Sequence, residues 1–329
     1  MTEAMGRRAV VLLIDVEPDA RKTTGNSDGW KSSEVALDHL ERLRGSLEAA
    51  TGAAVQLNWF LRCDPQIRKS WGCADRVAQA CPRIIRTIER TGDFAGVHVH
   101  LWKWSESRAG WYNDLSDSAW TAECLDTAIE AFAGILGHRP EGSRFGDRWL
   151  SDDAVRLMRT RGIRLDVTVE PGLPGGAIHD DPHTIGMLPD FRSAPRHPWP
   201  ASAANFLYPD PHPPSDAVWM LPLTTTRPAL RLVRRAPWLM VASRPPNLSL
   251  ASAYVWPHLR RELDRPTHLP LVMVFRSGDL ANATFMRNFS RTTALLSRHP
   301  ALSFCDFTNP ADAISRWRRA ATVEGPGGR

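Results

Sequence analysis

The chain opens on an unbroken apolar run, residues 9–14 (AVVLLI), that stops at three acids, Asp15, Glu17 and Asp19, with Pro18 before the last of them. Such a run ending in charge predicts a buried first strand whose carboxyl end carries carboxylates, the place where α/β folds collect ligands. Side chains alternate along a strand, so Asp15 and Glu17 point the same way. A polar stretch without periodicity, 20–31, predicts a loop, and Ser32 or Ser33 then caps a helix with an apolar stripe of Val35, Leu37, Leu40, Leu43 and Leu47. The pattern continues with a strand over 54–60, a helix over 75–89 with Pro82 in or near a first turn, and a strand over 95–101. Next come a polar, Trp-rich loop over 103–116 and a helix over 118–136 ended by Gly137. A short polar-aromatic segment, 143–149, precedes a helix over 152–161 and a strand over 164–169.

Strand and helix in alternation, with short connections, predict a parallel α/β architecture. Between 171 and about 246 the periodicity gives way to prolines, apart from an apolar stretch at 218–223 that reads as a strand. The α/β pattern then resumes with a helix over 254–263, a strand over 269–275, a helix over 281–298 and a strand over 302–307. Because the same pattern returns, residues 1–323 are expected to form one domain carrying a long proline-rich insertion, and 324–329 a disordered tail.

Composition narrows the class. With 329 residues and 43% apolar positions, the chain can bury a sizeable core. No apolar run approaches the ~20 residues of a bilayer span, so no membrane insertion is expected. Arg7 and Arg8 before the first run superficially look like a signal peptide, but acids follow at once and no small-residue cleavage site does; the reading is a first strand in a cytoplasmic protein. Five cysteines without a C-x-x-C spacing argue against a disulfide framework or a zinc–cysteine module. A net charge of +5 comes from arginines spread along the chain, and no nucleic-acid recognition motif accompanies it. Thirteen tryptophans against three tyrosines supply core packing first and sugar-stacking faces second.

Candidate chemistry gathers at the strand ends. In VHVHLW, His98 and His100 alternate with valines, so both imidazoles project to one side, as two neutral nitrogen ligands of a metal must. Together with the acids after the first strand they suit one divalent metal ion, zinc first, with iron, manganese or cobalt left open. In RFGDRW, Arg144 or Arg148 could hold an aspartate charged and oriented through a bidentate pair. Asp166 and Glu170 lie toward another strand end, and Arg276 and Asp279 follow the apolar strand near 275.

With these segments in this order, most of residues 9–310 resembles the polysaccharide deacetylase superfamily, the family four carbohydrate esterases and their relatives. The resemblance implies a distorted (β/α)7 barrel that hydrolyses N- or O-acetyl groups on sugars with a divalent metal. IDVEPD is similar to the family's acid-x-acid first motif, which would make Asp15 the base and Glu17 a metal ligand beside His98 and His100. RFGDRW resembles the arginine motif and would put Arg144 behind the base. Asn58–Asp64 (NWFLRCD) looks like the second strand, and residues 165–169 like the strand near a D-x-S sequence. Family histidines are commonly four apart, whereas here His100 must serve because Trp102 stands four after His98. The family's last strand usually ends in a histidine that protonates the leaving amine, and Arg276 stands there; it could instead bind the oxyanion or a substrate phosphate. Asp19, Asp64, Trp102, Trp104, Arg148 and Trp149 complete the set as candidates for holding substrate, the three tryptophans as a sugar platform. The expected activity is deacylation of an amino-sugar or glycan precursor. Replacement of that histidine leaves a second reading, a catalytically altered or inactive deacetylase-fold protein that binds a glycan or supports a glycan-assembly partner.

Overall fold

The computed structural model describes residues 8–23, 29–178, 183–225, 256–264, 269–299 and 301–304. The first apolar run becomes β1 (Arg8–Val16), after which α1 (Lys31–Thr51) leads back to β2 (Asn58–Arg62). Helices α2 (Pro65–Trp71), α3 (Arg76–Ala80) and α4 (Pro82–Thr91) precede β3 (Phe94–Val99). An antiparallel hairpin, β4 (Trp102–Ser105) and β5 (Gly110–Asn113), is followed by α5 (Ser118–Leu136), β6 (Gly142–Phe145), α6 (Asp152–Thr160) and β7 (Leu165–Asp166). Then come β8 (Trp199–Pro200), β9 (Trp219–Met220), α7 (Trp256–Asp264), β10 (Leu271–Arg276), α8 (Ala283–Leu296) and β11 (Leu302–Phe304).

Strands β10-β1-β2-β3-β6-β7-β9 lie side by side and parallel, with β8 added antiparallel to β9 and β11 parallel to the start of β1. Beyond β9, the Thr224 N–H donates to the Val272 carbonyl (3.0 Å) and the Val272 N–H to Thr224 Oγ1 (2.9 Å), so the curled sheet returns onto β10. The result is a distorted α/β barrel of the expected kind, with helices outside.

Strand alternation sorts every side chain to one of two places. Val10, Leu12, Ile14 and Val16 of β1, Trp59 and Leu61 of β2, Val97 and Val99 of β3, and Leu271, Met273 and Phe275 of β10 join the large core beneath the helices. The other parity fills the lower barrel interior with Val11, Leu13, Phe60, Phe94, Leu165, Val167, Trp219, Leu221, Val272 and Val274. Continuing that inner parity upward along the strands gives Asp15 and Glu17, Arg62, His98 and His100, Arg144, and Arg276. The polar cluster is therefore the top of the same columns that make the apolar plug.

The structure corrects several expected boundaries. The second strand begins at Asn58 rather than 54: Val55 makes only an isolated parallel bridge to Phe304, its carbonyl also accepts from Arg44 (2.8 Å), and the Leu57 N–H goes to Asp93 (3.2 Å). Residues 75–89 are two helices broken at Cys81, since Pro82 starts a new one as its first residue. The Trp-rich loop is the β4–β5 hairpin, in which Trp104 and Trp111 face each other in register. Helix α2, absent from the expected pattern, is capped by Asp64, whose carboxylate accepts from the Gln66 and Ile67 N–H groups. Within the proline-rich stretch, residues 171–225 supply β8, the barrel strand β9 and buried Phe191, Trp199 and Phe206. Residues 226–246 and 324–329 lie outside the described residues, as does the part of the last strand beyond 304.

Candidate functional site

At the carboxyl ends of β1 and β3, Glu17, His98 and His100 turn three ligand atoms toward one point. His98 Nε2 and His100 Nε2 are 3.0 Å apart, and Glu17 Oε2 lies 3.7 Å from the first and 3.4 Å from the second. Ligands about 2.1 Å from a tetrahedral zinc stand about 3.3–3.4 Å from one another, so these separations bracket what a small divalent ion requires. The outer nitrogens are already engaged. His98 Nδ1 is 3.0 Å from the Arg144 carbonyl oxygen and His100 Nδ1 is 3.1 Å from Asp147 Oδ2. A carbonyl and a carboxylate only accept, and Asp147 lies closer to His100 Nδ1 than the Trp102 Nε1–H that donates toward the same atom (3.3 Å), so each neutral ring carries its proton on Nδ1 and presents the Nε2 lone pair to the other. Two lone pairs 3.0 Å apart repel unless a proton or a metal ion lies between them. The donor set thus fits a metal ion.

The ring of His100 reaches this position only because residue 146 lacks a side chain. A Cβ on Gly146 would fall 2.1 Å from His100 Nε2 and 2.2 Å from its Cε1. The next two residues, Asp147 and Arg148, adopt left-handed backbone with φ of 54° and 60°. That turn swings the Asp147 carboxylate back over the imidazole, where the Asn113 amide also donates to Oδ2 (3.3 Å) and Arg21 ion-pairs with Oδ1. Such strain in non-glycine residues persists where surrounding contacts hold it.

Asp15 stands beside this cluster, buried at 2% exposure. Arg144 Nε donates to both of its oxygens, at 2.8 and 2.9 Å, while Arg144 Nη1 donates to the Val167 carbonyl (3.2 Å). His98 Nδ1 is 3.9 Å from Asp15 Oδ1. Glu17 is flanked by two guanidinium groups: Arg276 donates to Oε1, and Arg62 donates to Oε2 at 3.3 Å. Burial alone would raise the Glu17 pKa, but Arg276 and the two imidazoles overcome it and hold the carboxyl well below its ordinary value. For His100, burial and the Arg62 charge act downward and are outweighed by Asp147 and Glu17, so its pKa lies above the usual one.

No family model matches the chain, and no curated protein matches it. Solved structures do. A protein described as a polysaccharide deacetylase from Mycobacterium smegmatis superposes with a TM-score of 0.51 at 13% identity, over 97% of this chain and 94% of that one. One described as a glycoside hydrolase/deacetylase from Parabacteroides distasonis gives 0.57 at 14% identity, over 97% and 73% of the two chains. The chain has the polysaccharide deacetylase fold. The allantoinase Puue shares it, with a TM-score of 0.51 at 12% identity over 96% of this chain and 92% of that one.

Within this deacetylase fold, the residues anticipated at the strand ends separate into two groups. Asp15, Glu17, His98, His100, Arg144 and Arg276 converge. Others require correction. Asp64 is fully enclosed, and its oxygens accept from Arg62 Nε, the His100 N–H and two N–H groups of α2, so it supports the site from behind and has no room for substrate. Trp102 is likewise enclosed, roofed by Arg21 and Lys22 at 5.2 and 5.3 Å from its ring, and Trp149 packs into the helix-side core against Phe145. Asp19, although exposed, receives the Ser32 N–H at the start of α1. Asp166 points to the helix side, accepting from Ser143 and Thr168, and burial pushes its pKa up to about 6. Trp104 remains half-buried on the hairpin, edge-on to Trp111, and Arg148 sits half-buried on the left-handed turn. Sequence reasoning missed Arg62 and Asp147. Arg62 shares inner parity with Asn58 and Phe60, which was readable once β2 was placed correctly; the left-handed turn that brings Asp147 back to His100 had a signal only in the G-D pair.

Proposed function

We propose that the protein is a metal-dependent hydrolase that removes an acyl group, acetyl first, from an amino-sugar or glycan precursor. The observation that carries this reading is the pair of Nε2 atoms 3.0 Å apart with both Nδ1 positions committed elsewhere, completed by Glu17. The likeness in fold to proteins described as deacetylases supplies the substrate class. Glu17, His98 and His100 would hold the ion, zinc first by its taste for two imidazoles and a carboxylate; when bound it would polarise the acyl carbonyl and acidify water. Asp15 takes the proton from the attacking water, and Arg144, bonded to both of its oxygens, keeps that carboxylate aimed. Glu17 raises the pKa of Arg276 above its already high ordinary value, so this residue contributes positive charge near the developing oxyanion and no proton. Trp104, half-buried with Lys69 5.6 Å from its ring on one side, is the least enclosed of the three candidate tryptophans and the one left to stack on a sugar.

Elemental analysis of the purified protein, with Glu17→Ala and His98→Ala beside it, tests the reading. About one equivalent of zinc or a related metal in the wild type, lost in both variants, together with acetate release from N-acetyl amino sugars, is the expected result. A wild type that neither contains nor takes up zinc or cobalt would sink it. The second reading, a glycan-binding protein without hydrolytic activity, is favoured by one observation: two arginines already neutralise the carboxylate the metal needs. Glycan binding that persists in a metal-free protein releasing no acetate would establish that reading instead.

A further inference from the structure

We propose that Asp147 is a positioning residue that fixes His100 in the tautomer able to bind metal. The inference rests on the metal site described above but concerns a residue outside the ligand set. His98 and His100 reach the same state by different means. The Nδ1 of His98 faces a main-chain carbonyl on the adjacent strand β6, an acceptor that no side-chain replacement removes. Among the described residues, the Nδ1 of His100 has no main-chain acceptor and depends on the Asp147 carboxylate at 3.1 Å.

A competing donor makes that dependence sharp. Trp102 Nε1, which can only donate, lies 3.3 Å from the same His100 Nδ1. With Trp102 as its sole partner, His100 would place the proton on Nε2 and turn an N–H toward the metal point. Asp147, closer and charged, reverses that choice. Its own position is fixed from three sides: the left-handed turn at φ 54°, the Asn113 amide at 3.3 Å, and the Arg21 ion pair that occupies Oδ1 and leaves Oδ2 to the imidazole.

Asp147→Asn is the discriminating change, because asparagine tolerates left-handed backbone and has nearly the same shape, while its amide can donate as well as accept. Long-range ¹H–¹⁵N spectra of histidine-labelled, metal-free protein at a pH where the rings are neutral read the tautomer directly. The wild type should show Nδ1–H for both His98 and His100. In Asp147→Asn, His100 should move to Nε2–H while His98 is unchanged, and zinc affinity measured by chelator competition should fall about 10- to 100-fold. An Nε2–H signal for His100 in the wild type, or a variant with wild-type tautomers and wild-type affinity, overturns the proposal. A wild type with the expected tautomers that binds no zinc overturns the metal site and leaves the positioning role standing, so the two failures are distinct. A melting temperature close to that of the wild type confirms that the variant is folded.

Discussion

The lower and upper halves of the barrel interior are built from the same strands, the same inward parity and nearly the same burial, yet they are held together by opposite means. Below, Val11, Leu13, Phe60, Phe94, Val272 and Val274 fill the space with apolar side chains, stabilised by removal from water and by close packing. Higher along the same inward-facing columns, Asp15, Arg62, His98, Arg144 and Arg276 fill it with charge and imidazole. Each of these is buried or partly buried, and each stands only because another satisfies it: Arg144 for Asp15, Arg62 and Arg276 for Glu17, Asp64 for Arg62. A buried charge without its partner costs several kcal/mol, roughly what a large apolar side chain contributes by being buried. The lower half therefore tolerates change in proportion to volume, whereas the upper half responds to which atom faces which.

Gly146→Ala puts that contrast to its hardest test. The added methyl is the smallest possible increase in volume, but it would stand 2.1 Å from His100 Nε2. The ring must leave the point it shares with His98 and Glu17, and zinc measured by elemental analysis should be absent from a protein that still shows a cooperative melt. Zinc retained at wild-type stoichiometry would mean that the upper half repacks as freely as the lower. Phe60→Ala, in the plug, should do the reverse. Removing a fully buried ring should lower the unfolding free energy by about 3–5 kcal/mol in urea titration, while the folded fraction binds zinc as before.

Which parts of this were legible beforehand follows from the same division. The apolar run of β1, its terminal acids and the H-x-H alternation are local patterns of period two, and they announced the strand, its mouth and the direction of its side chains. The resemblance to deacetylases added the barrel and the pairing of Arg144 with Asp15. What escaped depends on contacts between segments far apart in sequence. Asp64 could not be told from a substrate ligand until α2 and the His100 N–H were seen to use its oxygens. Trp102 and Trp149 could not be told from platform residues until the roofing cations and the Phe145 contact enclosed them. Asp147 escaped because its part depends on two consecutive left-handed residues, and although aspartate visits that region more than most residues, nothing local announces that Arg148 follows it there.

Asp166 sharpens the comparison from outside the barrel, as an acid on the helix side among apolar neighbours. Ser143 and Thr168 bond it, but burial dominates and raises its pKa from the model-peptide region to about 6. The folded state thus keeps a proton that the unfolded state releases near pH 4, so stability falls as pH rises from about 4 to 6 and is level beyond. Two units correspond to about 3 kcal/mol. Asp166→Asn should flatten that part of the stability profile in urea titrations at pH 4.5 and 7; an unchanged slope would assign it to other groups.

The smallest effect is expected at Arg276, where the two halves' rules meet water. Its side chain is 43% exposed, and its partner Glu17 keeps a second cation, Arg62, when it is removed. Arg276→Ala should therefore change stability by no more than about 1 kcal/mol, as for other partly exposed ion pairs. Its influence on metal is larger in kind, because a guanidinium on Oε1 opposes a divalent cation approaching Oε2. Taking it away should tighten zinc binding by up to about tenfold, since the screened repulsion of one neighbouring charge is of the order of 1 kcal/mol. Chelator competition at two ionic strengths reads both the change and its origin: a gain that shrinks with added salt is electrostatic. A loss of affinity would mean instead that Arg276 holds Glu17 in place, and that Arg62 alone, though fully buried, does not suffice to aim it.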